Sequence, residues 1–174
     1  MERSQQPDLR LEPWSDEGGL ALLTGLNTPE MTEHLGGPET PDKLADRHLR
    51  YLRLGGPDGP FGRMFRITLG GETAGVIGYW ETTWQGETVW ETGWGVLPEF
   101  QGRGVAAGAA RLVAGEARAA GRHAYLHAFP ATGHAASNGV CRRAGFTLRG
   151  ASTVEYPKGN WHPCNDWRLA LSTG

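Results

Sequence analysis

The chain has 174 residues, 39% of them hydrophobic, and a formal net charge of −2. That length suits one domain spanning residues 1–174, and the charge offers no basic face to nucleic acid. Two cysteines are too few for a disulfide framework, no apolar run approaches the roughly 20 residues of a membrane span, and the N-terminus is polar instead of signal-like, so cytoplasm is the expected compartment.

Residues Asp8 to Pro13 alternate Leu9 and Leu11 with polar neighbours and read as a short strand. Ser15 and Asp16 cap a helix from Gly18 to Leu26. Thr40 caps a second helix, Pro41 to Leu54, in which Leu44, His48, Leu49, Tyr51 and Leu52 recur at helical spacing. Between the two lies Asn27 to Glu39, a loop rich in Gly and Pro. Gly55 to Gly62 is a turn region. Met64 to Leu69 and Ala74 to Thr83 then pair about Gly70-Gly71, and Gln85-Gly86-Glu87 turns the chain into Thr88 to Leu97, completing an antiparallel meander. A helix follows from about Gly102 to Ala120, then a strand from His123 to Phe129 and a helix from Ala135 to Ala144 ended by Gly145. Thr147 to Glu155 and Asp166 to Ser172 form a last strand pair. A meander followed by a β-α-β-α-β unit is a mixed α+β order, with helices against a sheet that is partly antiparallel and partly parallel.

Gln101-Gly102-Arg103-Gly104-Val105-Ala106 is the most informative stretch. It closes an apolar strand, Trp94 to Leu97, and opens an Ala-rich helix. A strand that feeds a glycine turn and a helix start gathers unpaired N–H donors and the positive end of the helix dipole on one anion-sized spot. A P-loop would need Lys and then Ser or Thr where Val105 and Ala106 stand. A dinucleotide loop would need an acidic residue ending the next strand, where His127 stands instead. The His and Cys residues show no metal-ligand spacing, because His162-Pro163-Cys164 is too short and rigid to converge on an ion.

The segment resembles the pyrophosphate loop of the GCN5-related N-acetyltransferase (GNAT) family: Gln or Arg, two residues, Gly, one residue, Gly or Ala. Gly93 to Phe100 is similar to that family's strand-to-loop passage, and Ala144-Gly145-Phe146 to its closing helix-end signature. Ser137, Val140 and Cys141 keep the spacing to Gly145 seen in the branch of ribosomal-protein N-terminal acetyltransferases. The resemblance implies a mostly antiparallel twisted sheet, flanked by helices and splayed at a coenzyme A site. It also implies direct transfer of acetyl from acetyl-CoA to a primary amine, on a small molecule or a protein N-terminus. A transferase of another acyl group, or an acyl-CoA-binding module without catalysis, shares these features.

Carried over by position, Trp94, Gly95 and Val96 would meet the pantetheine arm from a bulged strand, with the Trp94 N–H toward the thioester oxygen. Gln101 to Ala106 would take the pyrophosphate by main-chain N–H groups. His134 stands where the family often has Asn on the pantetheine arm, and Arg143 follows as a phosphate contact. Glu91 is the candidate base, or a solvated strand carboxylate. Cys141 replaces the Tyr that many members use as proton donor, so Cys141 or Ser137 would protonate the leaving thiolate, with a buried structural Cys as the alternative. Met31, His34, Trp80 and Trp90 are expected at the acceptor pocket, and Glu72, Glu81 and Glu87 join Glu91 as carboxylates that favour a cationic amine or stay solvated. The last hairpin, with Tyr156 and Trp161, offers an edge suited to a homodimer.

Overall fold

The computed structural model describes residues 8–54, 61–156 and 158–171. β1 (Leu9–Pro13) leads through α1 (Asp16–Leu26) and α2 (Pro41–Leu54) into the meander β2 (Gly62–Leu69), β3 (Glu72–Trp84) and β4 (Glu87–Val96). α3 (Val105–Ala120), β5 (Tyr125–Ala128), α4 (Ala135–Arg143) and the hairpin β6 (Thr147–Glu155) with β7 (Trp161–Ala170) follow. The strands form one sheet in the order β1-β2-β3-β4-β5-β7-β6, antiparallel at every junction except β4 to β5. This is the expected mixed, mostly antiparallel architecture. Residues 55–60 of the expected turn, and Ser172, lie outside the described residues.

Several boundaries shift by one or two residues, and three differences have a local physical reason. α3 begins at Val105 and not at Gly102, because Gly102 and Gly104 both take φ of +75°, outside any right-handed helix. β5 is only Tyr125–Ala128, since Pro130 just beyond it has no N–H to continue a ladder. β7 begins at Trp161, ahead of the expected Asp166, and contains Pro163. The proline is tolerated because its side of the strand faces a loop: Thr132 donates to the Pro163 carbonyl at 3.2 Å.

The sheet is covered differently on its two faces. On one, Ala107, Ala110, Ala114 and Ala117 repeat along α3 as a ridge of methyl groups, so the helix lies close on Ile67, Ile77, Trp90 and Leu126. α4 joins that core through Val140 and Cys141. On the other face, Leu22, Leu23 and Leu44 of α1 and α2 pack on Met64 and Val76. α1 lies on β3 and α2 on β2. On that face α1 also reaches the end of β4, where Leu26 lies beside Gly95, and the candidate site opens past this contact.

Candidate active site

β4 has two unlike edges. Against β3 it pairs in unbroken register from Glu87 to Val96. Against β5 it pairs only at Trp90–Leu126 and Glu91–His127. Beyond Glu91 the strands part, because the chain after β5 follows β7 instead: Asn165 donates to the Pro130 carbonyl at 2.9 Å, and Ala131 bridges Cys164. Buried Asn138 fixes this departure. Its amide donates to the carbonyls of Ala131 (3.0 Å) and His134 (2.8 Å), and its oxygen accepts from Asn165 Nδ2 and Trp167 Nε1, both at 2.8 Å. The resemblance implies a bulge as well as a splay. The splay is present, and the β3–β4 register carries no bulge.

Leu97 donates its N–H to Ala74 of the β3 side at 2.8 Å. Main-chain groups alternate along a strand, so those of Trp94 and Val96 point the other way, into the wedge between β4 and β5. The Val96 carbonyl already accepts from Gln101 Nε2 at 3.0 Å. Gln101 thus braces the strand end with its side chain, which also meets Met31 Sδ at 3.3 Å. Gly95 lies between Trp94 and Val96 with its main chain turned to β3, so it lends the wedge no donor.

At the mouth of the wedge the glycine loop turns into α3. No atom lies within 4 Å of where a Cβ would stand on Gly102 or Gly104. Gly104 caps α3 without a side-chain hydrogen bond, and the first helical bond from the cap runs from the Gly108 N–H to the Gly104 carbonyl at 3.0 Å. The N–H groups of Val105, Ala106 and Ala107 therefore reach open space at the positive end of a 16-residue helix. Arg103 lies over the Phe100 ring at 5.5 Å, which leaves its charge at the loop's rim. An open cradle of unpaired donors fits a polyanion, so the site suits the pyrophosphate of coenzyme A.

The loop between α1 and α2 reaches across this mouth. Asn27 closes its base with two 2.8 Å bonds to the Glu39 main chain. From it Met31 touches Gln101, and His34 stacks on His134 at the start of α4, with centroids 4.4 Å apart and planes 15° apart. Burial, and then the neighbouring His34, hold the His134 imidazole below its ordinary range, with Glu33 pulling the other way. The half-buried Ser137 hydroxyl lies 3.4 Å from His134 Nε2. Met31, His34, Gln101, His134 and Ser137 are thus brought together at one mouth.

Glu91 sits at the apex where β4 and β5 separate, on the face opposite α3. Its carboxylate accepts from Trp80 Nε1 at 2.9 Å. Burial pushes its pKa up to about 7, with the Trp80 bond pulling modestly down. That value suits a base that must take and release a proton near neutrality. The Trp80 ring lies over Gly93, whose Cβ, if present, would stand 3.2 Å from it. Trp80 therefore walls Glu91.

Two expectations are corrected. Trp90 points to the opposite face, has no exposed surface, and donates to the Gly121 carbonyl at 2.9 Å, so it belongs to the core under α3 and cannot line an acceptor pocket. One residue of strand register decides this, since Trp80 pairs with Glu91 and not with Trp90. Cys141 is likewise without exposed surface, and burial pushes its thiol up to about 12, which removes it as a proton donor. Arg143 is exposed and folds back toward its own helix, with Nη1 3.1 Å from where a Gly139 Cβ would stand. Among the meander carboxylates, Glu81 is committed to Arg122 and His123, each at 2.7 Å, on the α3 face.

Sequence reasoning missed His127, Asp166 and Asn138. His127 Nδ1 and Asp166 Oδ1 are 2.7 Å apart and buried, and Trp84 Nε1 donates to Asp166 Oδ2 at 3.1 Å. The available signal was period-two placement: Tyr125, His127 and Phe129 alternate with the core residues Leu126 and Ala128.

The acetyltransferase (GNAT) domain family matches this chain over residues 8–147. No curated protein sequence matches it. Among solved structures, an acetyltransferase of Salmonella typhimurium that modifies the N-terminal serine of 50S ribosomal subunit protein L7/L12 is similar, with 19% identity, 97% of each chain covered and a TM-score of 0.76. The aminoglycoside acetyltransferase AAC(6')-Ib in complex with coenzyme A has 20% identity over 94% of this chain and 95% of its own, with a TM-score of 0.72. An acetyltransferase of Agrobacterium tumefaciens has 24% identity over 96% and 92%, with a TM-score of 0.73. At such identities these likenesses carry the fold.

Proposed function

The chain belongs to the GNAT acetyltransferase family, and from that premise we propose that it is an acetyl-CoA-dependent N-acetyltransferase acting on a primary amine. The observation that carries the proposal is Glu91 at the apex of the β4–β5 split, its pKa about 7, with the glycine loop at the wedge's mouth. Bound acetyl-CoA supplies the acetyl group as a thioester. The N–H groups of Val105, Ala106 and Ala107 hold the pyrophosphate, and Trp94 and Val96 offer main-chain donors to the arm lying in the wedge. Glu91 takes the proton that the attacking amine must lose, and the Trp94 N–H, fixed before reaction, faces the oxygen on which negative charge grows. Ser137, half-buried beside His134, offers the hydroxyl that returns a proton to the departing thiolate.

The neighbours' acceptors, a ribosomal protein N-terminus and an aminoglycoside, support an amine of one of these two kinds as the acceptor. Two free cysteines suit a reducing compartment such as the cytoplasm. Trp161, 65% exposed on β7, is the surface a second copy would cover in a dimer.

The test is thiol release from acetyl-CoA across peptides, polyamines, aminoglycosides and amino acids, with the acetylated amine identified by mass. Amine-dependent release matched by an equal amount of N-acetyl product is expected. Binding of coenzyme A with no product from any amine would instead identify an acyl-CoA-binding module, and turnover only with longer thioesters a different acyltransferase.

A further inference from the structure

On the open face, the row of residues level with Glu91 crosses the sheet through His127 of β5 to Arg168 of β7. Residues in one row point to one face, so Glu91, His127 and Arg168 share the face opposite α3. A pocket lies beside this row. Trp84, Tyr125 and His127 line it, Asp166 forms part of its floor, and Arg149 and Arg168 stand at its β6–β7 side.

The charges of this pocket are unevenly committed. Asp166 has both oxygens occupied, one by His127 and one by Trp84. Arg168 is held with its Cζ 3.9 Å from the Tyr125 centroid, a stacking that fixes the guanidinium plane and leaves its edge donors unused. Arg149 falls where the β6–β7 register slips between Leu148 and Gly150, and such an extra residue turns a side chain away from its regular direction. Neither arginine forms an ion pair among the described residues. Glu87, exposed at the β3–β4 end of the pocket, is the one carboxylate there without a bonded partner among the described residues.

We propose that this pocket selects the acceptor, and that the acceptor is a peptide N-terminus with an acidic side chain at its second to fourth residue. The proposal rests on the acyl-transfer reading above. Arg168 stands two strand spacings from Glu91, about 10 Å, and an extended peptide covers that in about three residues. A peptide whose α-amine reaches Glu91 and which crosses β5 brings a carboxylate of those residues to the two guanidinium groups. The carboxylate of a free amino acid lies about one residue's length from its amine and falls short of them.

The experiment compares kcat/KM for three peptides that share their first residue and carry Asp, Asn or Lys at positions two to four, together with a triamine. The wild-type enzyme is expected to favour the Asp over the Asn peptide about tenfold at low salt, with the preference shrinking as salt is added. In the Arg149→Gln/Arg168→Gln variant, checked for retained coenzyme A binding, the Asp-to-Asn ratio falls to about one. In Glu87→Gln, a milder change at the exposed rim, the ratio rises. Equal use of Asp and Asn peptides by the wild type, or preference for the Lys peptide or the triamine, overturns the acidic-peptide assignment and leaves acetyl transfer standing. Absence of product from every amine removes both.

Discussion

Along its β3 edge β4 is paired from end to end, and along its β5 edge it is paired at only two rows. The first edge is closed by small residues: a Cβ on Gly75 would stand 2.2 Å from the Gly95 carbonyl oxygen, so the two strands approach as only glycine allows. The second edge is held open by residues outside β4 altogether, by Pro130 ending β5 and by Asn138 binding the following chain to β7. One strand thereby serves as both scaffold and binding surface. Its backbone donors at Trp94 and Val96 are left over for a ligand because something else satisfies their neighbours.

Disturbing the open edge should cost binding, and disturbing the closed one should cost stability. The largest effect is expected for Gly104→Val, which forces a branched residue into φ +75° and puts a side chain in the anion cradle. Coenzyme A affinity of the folded protein, measured by calorimetry, should fall about a hundredfold, and the strained φ should itself lower stability by about 1–3 kcal/mol. Gly75→Val should act first on stability. Its side chain meets backbone that cannot yield, so unfolding by denaturant should show a loss of about 3 kcal/mol.

The same contrast explains what the sequence made legible. The glycine loop, the meander and the apolar alternation are local signals, and the strand, helix and loop positions they indicate are present. What escaped was set by register and by distant partners. Trp90 and Trp80 look alike as strand aromatics, yet the β3–β4 pairing sends them to opposite faces. Cys141 keeps the spacing of a proton donor, but the ridge of α3 buries it. Asn138 and Asp166 do their work through residues 27 to 82 positions away, and no short window of sequence contains both halves of such a contact.

The central claim is that Glu91, at the point where the two edges diverge, takes the proton from the amine. It is tested most directly by the pH dependence of kcat/KM for wild type and Glu91→Gln, using an acceptor whose own amine titrates well away from 7. A raised carboxyl pKa means that the base is lost by protonation as pH falls through that value. The wild-type profile should therefore drop on the acid side with a midpoint near 7. In Glu91→Gln that limb should vanish and the plateau rate fall by about a hundredfold or more. A variant that keeps the full rate, or keeps the same limb, would contradict the assignment.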